Sequence, residues 1–211
     1  MKVQQIPLPP IGANCYIVTD EKTNHAVVID PGSCTTELLS LIEGKQVDYI
    51  LLTHGHFDHI LGVTALKEHC SARVAIHTDD AEMLINDKLS YAYNNHSQGQ
   101  FPVLADLLLE DGDEIKFGEA KLKVMHTPGH SKGSVCYISD KAIFTGDTLF
   151  CLTVGRTDLY GGSMAQLIAS IDKLMALPGD YVLYTGHNRS TTLQAERNHN
   201  RYFRKKNGFI N

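Results

Sequence analysis

The stretch Thr53-His54-Gly55-His56-Phe57-Asp58-His59 decides the fold of this chain. It places four side chains that can bind metal ions within six positions, directly after residues 47–52, an apolar run that predicts a buried strand. Histidine is the commonest metal ligand in proteins. On an irregular turn, the His-Gly-His part can converge on one ion while the Asp-His pair reaches a second. The stretch therefore predicts a metal centre at the end of a strand.

Three further candidate ligands follow short strands elsewhere in the chain. His130, Asp147 and His187 each come shortly after a predicted strand, and a glycine immediately precedes each of them. Glycine permits the tight backbone path that turns a side chain off the end of a strand toward a shared centre. We therefore expect these three side chains to join those of the first stretch.

Together with these residues, several short motifs make the sequence resemble the metallo-β-lactamase superfamily, and within it the short glyoxalase II-like hydrolases that lack a long carboxy-terminal helical domain. The motifs cover nearly the whole chain and are Asn14-Cys15-Tyr16, Ile29-Asp30-Pro31-Gly32, the stretch from His54 to His59, Thr127-Pro128-Gly129-His130, Gly146-Asp147-Thr148-Leu149-Phe150, Gly155-Arg156-Thr157-Asp158 and Gly186-His187.

The resemblance implies a four-layer αβ/βα sandwich with a site at one edge, between the two halves. It also implies two divalent metal ions, with Zn²⁺ as the expected metal and Fe or Mn as alternatives. The implied ligands are His54, His56 and His130 for the first ion, Asp58, His59 and His187 for the second, and Asp147 as a bridge between both.

The pattern of apolar residues independently predicts an α/β protein of two similar halves, in a single domain over residues 1–211. Strands are predicted at residues 3–7, 15–18, 26–29, 47–52, 73–76, 106–109, 114–117, 121–126, 135–139, 142–145 and 181–184. Helices are predicted at residues 36–43, 60–69, 79–85, 163–177 and 191–206. Residues 86–102 are polar and aromatic without apolar periodicity, which predicts a long surface loop whose candidate role is a lid.

Composition describes an ordinary globular protein. The net charge of -5 gives no basic excess to neutralise nucleic-acid phosphates, so nucleic acid is not an expected partner. The first ten residues lack the apolar run of a signal peptide or a membrane span, so we expect no membrane partner and a cytoplasmic location. Five cysteines without paired spacing favour reduced thiols. A monomer is compatible with the sequence, which leaves the oligomeric state open.

The predicted centre favours hydrolysis of a small anionic acyl substrate. Two dications carry four positive charges, and two aspartates with one bridging hydroxide remove three, which leaves a centre of about +1. Water held between two metal ions loses a proton near neutral pH and becomes the nucleophile, with Asp58 orienting it. A thiolate, with a thiol pKa of about 8.5, leaves without a dedicated general acid. We therefore predict a thioester hydrolase.

Similarity to glyoxalase II implies a glutathione thioester such as S-lactoylglutathione as the substrate. Arg156 falls where those enzymes have a basic residue near the thioester, with an ion pair to Asp158 as its alternative role. Asp158 departs from glyoxalase II, where an aromatic residue is expected. Tyr160 is a second predicted substrate contact, and Tyr91 and Tyr93 are further candidate pocket residues.

Three other functions share these residues. Persulfide dioxygenases have the same His-x-His-x-Asp-His pattern but use one iron ion in a site of two histidines and one carboxylate, and the full second ligand set that includes His187 argues against this. A lactone or phosphodiester hydrolase could use the same two metals. A non-catalytic, metal-stabilised interaction protein is the third alternative.

The remaining histidines have no partner spacing and are predicted to lie on the surface or behind the ligands. They are His25, His69, His77, His96, His126 and His199. His126 is the best placed to support a ligand because it precedes His130 by four positions. Cys151, near Asp147, is the only cysteine with a candidate role.

Overall fold

Two six-stranded sheets form the centre of the molecule. The computed structural model describes residues 1–95 and 99–204. In the first sheet the strands lie in chain order; the first two of the five strand pairings are antiparallel and the last three are parallel. They are β1 (Lys2–Leu8), β2 (Ala13–Thr19), β3 (His25–Ile29), β4 (Gln46–Leu51), β5 (Arg73–His77) and β6 (Leu107–Leu109). Their connections contain α1 (Thr36–Ile42), α2 (Phe57–Ile60), α3 (Val63–Cys70), a 3₁₀ helix (Thr78–Leu84) and α4 (Ala92–Asn95).

The second sheet is mostly antiparallel. It contains β7 (Glu114–Phe117), β8 (Ala120–His126), β9 (Val135–Ile138), β10 (Ala142–Gly146), β13 (Val182–Thr185) and β14 (Thr191–Thr192), while β11 (Leu149–Phe150) and β12 (Thr153–Val154) form a separate ribbon. Its spatial order is β14-β13-β10-β9-β8-β7. The parallel pair β10 and β13 is connected through α5 (Met164–Met175), as a parallel crossover requires. Helices α6 (Leu193–His199) and α7 (Arg201–Arg204) follow β14.

Three apolar clusters hold the layers together. The inner faces of the two sheets pack on each other through residues such as Tyr16, Tyr137 and Phe144. The outer face of the first sheet packs on α1 and α3, and that of the second on α5. The arrangement is therefore helix, sheet, sheet, helix, and the predicted four-layer sandwich is confirmed.

The predicted helix over residues 60–69 is wrong in its boundaries. The structure has two helices, α2 and α3, because the chain turns at Gly62. A Cβ atom at Gly62 would lie 2.6 Å from the carbonyl oxygen of Pro31 and 2.8 Å from the amide nitrogen of Cys34. The close approach of this backbone permits only glycine. Asp58 and His59 lie on the short helix α2 and not on the irregular turn that the sequence predicts.

Other boundaries also differ from prediction. The segment predicted as a helix at 79–85 is a 3₁₀ helix, and the single closing helix predicted at 191–206 is a two-residue strand followed by α6 and α7. Residues 92–95 of the predicted loop form α4. His96 and the rest of residues 96–98 lie outside the described residues, and so do residues 205–206. No helix in the described ranges is long and apolar enough to span a membrane.

Candidate metal centre

Three histidines converge at the edge where the two sheets meet. His54 and His56 lie between β4 and α2, and His130 lies in the turn between β8 and β9. Nε2 of His130 is 3.2 Å from Nε2 of His54 and 2.8 Å from Nδ1 of His56. All three rings are at most 3% exposed. Ring nitrogens so close together repel unless a proton or a cation lies between them, so this first triad suits a metal ion.

A second group of potential ligands lies beside the first. Oδ2 of Asp58 is 3.3 Å from Nε2 of His59 and 3.1 Å from Nε2 of His187. The histidines come from α2 and from the segment after β13, so both halves of the sandwich contribute to this second triad. One carboxylate and two imidazoles are a donor set that Zn²⁺ and other first-row transition metals accept.

Asp147, which follows β10, lies between the two triads. Its Oδ1 atom is 3.5 Å from Nε2 of His59, and its Oδ2 atom is 3.5 Å from Nε2 of His130. A Cβ atom at Gly186 would lie 2.1 Å from Oδ1 of Asp147. Glycine before His187 is therefore needed for space at the carboxylate, in addition to the turn that the sequence suggested. All seven side chains singled out in the sequence meet here.

Several buried polar atoms of this cluster lack a hydrogen-bond partner, which bears on whether metal ions fit it. Within the described residues, four buried side-chain polar atoms have no hydrogen-bond partner, and three of them belong to the cluster: Nε2 of His56, Nε2 of His59 and Oδ1 of Asp147. Buried polar atoms without a partner are costly, so such a concentration needs an explanation. A cation at the second triad would supply the missing partner of His59 and of Asp147. The donor set therefore fits divalent metal ions.

Several ring nitrogens that face away from the cluster have partners. Nδ1 of His59 lies 3.0 Å from Oδ2 of Asp30, and Nδ1 of His54 lies 3.1 Å from the hydroxyl of Thr53. Nδ1 of His130 is 2.8 Å from the carbonyl oxygen of Arg156 and can donate to it. Such contacts fix the tautomer and the orientation of the rings, as they do around metal-binding histidines generally.

Electrostatics shifts the pKa values of His54 and His59 in opposite directions. Burial, together with neighbouring imidazoles, holds the pKa of His54 well below its ordinary value. Burial also acts to lower the pKa of His59, but the carboxylates of Asp58, Asp147 and Asp30 outweigh it and raise that pKa well above its ordinary value. In the metal-free protein, these carboxylates favour the protonated form of His59. A divalent cation at the second triad would replace that proton.

The cluster forms the floor of an open cavity of about 360 Å³. Its walls are apolar and aromatic, with one cationic side chain at Arg156, and they include Ile11, Phe57, Tyr91, Phe150 and Leu159. A cavity of this size accepts a small molecule.

The two predicted substrate contacts, Arg156 and Tyr160, differ in their position, since only Arg156 is among the residues that line the cavity. Arg156 lines the cavity and also makes the alternative ion pair, since its Nε and Nη2 atoms each lie 2.7 Å from an oxygen of Asp158. The guanidinium lowers the pKa of Asp158 to about 2. The ammonium group of Lys132 lies over the ring of Tyr160. The backbone amide of Tyr160 donates to the hydroxyl of Tyr91. A role of Tyr160 in substrate binding stays a prediction.

The other histidines do not extend the centre. His77 and His126 stack face to face, with ring centroids 4.0 Å apart and planes 14° apart. Parallel rings direct their lone pairs in parallel planes, so the two do not converge on one ion even though the carboxylate of Asp79 is near. His25 pairs with Asp48 at 2.7 Å.

Residues 8–187, which contain all seven side chains of the centre, match the metallo-beta-lactamase superfamily. The chain belongs to the metallo-beta-lactamase superfamily. The resemblance predicted from the sequence, including that to glyoxalase II-like hydrolases, is confirmed.

Similar members of the metallo-beta-lactamase superfamily differ in their named activities. The hydroxyacylglutathione hydrolase GloC of Haemophilus influenzae is 31% identical over 212 residues, which cover 98% of this chain and 100% of that protein. The crystal structure of the B3 metallo-beta-lactamase BLEG-1 is 36% identical with a TM-score of 0.90, covering 96% of this chain and 99% of that one. TTHA1623, solved in a di-iron-bound form, is 33% identical with a TM-score of 0.83, covering 95% of this chain and 100% of that one.

Within this metallo-beta-lactamase superfamily member, two buried carboxylates were missed as functional residues. In the sequence, Asp30 stands out only as part of a motif, and Asp80 only as part of a predicted helix. Both are at most 2% exposed. The available signal for Asp30 was the sequence Asp-Pro-Gly after a strand, which marks a special backbone path, and Asp30 indeed has a φ of 53°.

Proposed function

We propose that this chain is a dinuclear metal-dependent hydrolase of thioesters, with glutathione thioesters such as S-lactoylglutathione as its substrates. The observation that carries the proposal is the pair of triads with Asp147 between them on the floor of an open cavity. The full-length similarity to hydroxyacylglutathione hydrolase GloC supports the choice of substrate. We propose that this activity belongs to one domain and to a cytoplasmic protein.

The proposed ligands are the seven side chains of the cluster. His54, His56 and His130 would hold one ion, Asp58, His59 and His187 the other, and Asp147 would bridge them. Zn²⁺ suits this donor set, and iron is the alternative because TTHA1623 has been solved with two iron ions. When bound, two such cations supply an activated water molecule and a Lewis acid for an acyl oxygen.

The protein's own side chains position the reaction. Burial would raise the pKa of Asp58, but His59 and His187 outweigh it and hold that pKa far below its ordinary value, so the carboxylate stays ionised. Because Asp58 lines the cavity, it can accept a hydrogen bond from the attacking water and orient it. Apolar side chains around the floor limit water at the acyl group.

The cavity suits a thioester carried by an anionic molecule. A thiolate leaves without a protein acid, because a thiol has a pKa of about 8.5, and no described side chain of the cavity has to donate a proton to it. Among the described residues that line the cavity, Arg156 is the one cationic side chain, and it would attract a carboxylate of the substrate. Asp158 neutralises part of that charge, so this attraction adds modestly to affinity.

A substrate panel with metal analysis tests the proposal. The protein loaded with Zn²⁺ or with iron is assayed on S-lactoylglutathione, other acyl thioesters, a lactone, a phosphodiester and a β-lactam, with oxygen uptake on glutathione persulfide as a separate arm. We expect two metal ions per chain and the highest kcat/KM on thioesters. A β-lactam is included because BLEG-1 is a B3 metallo-beta-lactamase. One iron ion with oxygen uptake, or a preference for any other substrate, would overturn the assignment.

Variants connect the activity to the cluster. Asp147→Ala and His59→Ala should each lower kcat/KM on thioesters by at least about 100-fold, because they remove proposed ligands. His25→Gln is the matched control, since His25 pairs with Asp48 and takes no part in the cluster. Wild-type rates in both ligand variants would exclude a dinuclear mechanism.

A further inference from the structure

A buried carboxylate joins the two loops that carry the first triad. Asp80 lies in the 3₁₀ helix after β5 and is 1% exposed. Its Oδ2 atom accepts from the amide of Gly55 at 3.1 Å and from the hydroxyl of Ser131 at 2.6 Å, and its Oδ1 atom accepts from the amide of Gly133 at 2.7 Å. Gly55 separates His54 from His56, and Ser131 follows His130. One side chain thus contacts both of the loops that carry the first triad.

The environment of Asp80 specifies a carboxylate. Its three partners are all donors, so an ionised carboxylate, which only accepts, satisfies each of them. The contacts leave little room for adjustment, because a Cβ atom at Gly133 would lie 2.8 Å from Cγ of Asp80. An asparagine in the same place would point its NH₂ group at the amide N–H of Gly55 in one orientation and at that of Gly133 in the other. One backbone donor would therefore lose its acceptor in either case. The site therefore distinguishes aspartate from asparagine.

The two loops come from different halves of the sandwich, so the contacts of Asp80 link the two halves at the first triad. His54 and His56 follow β4 of the first sheet, and His130 follows β8 of the second. The nitrogens of the triad lie 2.8 to 3.2 Å apart across that boundary. A small shift of either loop would change the distances at which these nitrogens reach a common ion, and metal affinity depends on such distances.

We propose that Asp80 is a positioning residue that holds the His54–His56 turn against the His130 turn and so sets the affinity of the first triad for its metal ion. This inference rests on the proposed metal centre and is independent of the substrate. By the hydrogen bonds that it accepts, Asp80 supports the backbone around the ligands and not the ligand rings themselves. The second triad has no contact with Asp80 among the described residues and should be affected much less.

Competition with a chromophoric Zn²⁺ chelator tests the proposal without any substrate. In Asp80→Asn, we expect one of the two Zn²⁺ ions to bind about 10- to 100-fold more weakly, while the other keeps its affinity within about twofold. Adding His187→Ala to Asp80→Asn should remove the remaining tight ion, which assigns it to the second triad. Asp79→Asn is the matched control, because this neighbouring aspartate has a side chain 53% exposed and should leave both affinities unchanged.

Unfolding of the metal-free proteins separates positioning from general stability. If Asp80 only stabilised the fold, Asp80→Asn would shift the urea midpoint and weaken both ions equally, and this result would overturn the proposal. Wild-type affinity for both ions in the folded variant would overturn it too. Ser131→Ala removes one of the three donors and keeps the carboxylate, so it provides the same test with a smaller weakening if Asp80→Asn does not fold.

Discussion

The imidazole of His59 is oriented by Asp30, whose Oδ2 atom lies 3.0 Å from Nδ1 of the ring, while Nε2 faces the carboxylates of Asp58 and Asp147. Asp30 also accepts from the amide and the hydroxyl of Thr53, at 2.8 and 2.6 Å. Thr53 is the residue immediately before the first triad. A single buried carboxylate therefore orients one ring of the second triad and fixes the start of the loop that carries the first.

Replacing Asp30 should be costly for this reason. In Asp30→Asn at least one buried donor loses its acceptor, so we expect the free energy of unfolding to fall by about 2–4 kcal/mol in the metal-free protein. Urea denaturation in the presence of a chelator measures this. Asp48→Asn is the control, because the Asp48–His25 pair is half-exposed and should contribute about 1 kcal/mol or less. Equal losses in the two variants would contradict the role given to Asp30.

Gly62 separates α2 from α3 by close packing against the loop after β3. We expect Gly62→Ala to destabilise the protein by about 3 kcal/mol, because the new methyl group overlaps backbone atoms that cannot rotate away. Gly112→Ala provides the contrast. Gly112 has open space around it but a φ of +92°, so alanine there should cost only about 1 kcal/mol from backbone strain. Thermal unfolding of both variants measures which one is destabilised more. A larger loss of stability in Gly112→Ala would contradict the role given to close packing at Gly62.

These residues show where prediction from sequence succeeds. Ligands such as His130 and His187 lie just after strands and follow a glycine, so local sequence is enough to place them at one edge of a sheet. Asp80 is different, because its partners are 25, 51 and 53 residues away in sequence and it has the local appearance of an ordinary residue near a helix start. The break at Gly62 likewise depends on the distant backbone of Pro31. Contacts between separate segments require the fold.

The stacked pair His77 and His126 predicts a pH dependence of stability. Burial and then the neighbouring His126 lower the pKa of His77, against the opposing effect of nearby carboxylates such as Asp79 and Glu110. A histidine whose folded pKa is depressed contributes stability that is fully present above the unfolded pKa of about 6.5 and is lost as the pH falls through the folded value. The free energy of unfolding should therefore decrease in that window below pH 6.5.

His77→Asn should remove this part of the decrease. The measurement is urea unfolding at a series of pH values from 7.5 down to 5, each compared with the wild type under the same conditions, so that other titrating groups cancel. Exposed His69, changed to Asn, serves as the control and should leave the pH dependence unaltered. A His77→Asn curve parallel to that of the wild type would show that folding does not lower the pKa of His77.

Tyr91 connects the segment before α4 to the loop that carries Arg156, directly above the metal centre. Its ring centroid is 5.8 Å from that of His56, its hydroxyl accepts from the amide of Tyr160 at 2.9 Å, and its φ is +65°. A bulky residue in the left-handed region is strained, and it persists only where surrounding contacts hold it. Tyr91→Phe keeps the ring and removes the acceptor. Losing one hydrogen bond of about 0.5–1.5 kcal/mol should raise the hydrogen-exchange rate of the Tyr160 amide about 2- to 10-fold.

The same substitution should raise KM for a thioester by a similar factor, because the cavity wall becomes less ordered while the ligands stay in place. Tyr93→Phe is the matched control: Tyr93 is 65% exposed, and its loss of a hydroxyl should change neither quantity. Faster exchange at Tyr160 with an unchanged KM would mean that the Tyr91–Tyr160 contact stabilises the wall without shaping the bound substrate. Unchanged exchange would mean that other contacts hold the two segments together, and the 2.9 Å hydrogen bond would then not be what fixes this wall of the cavity.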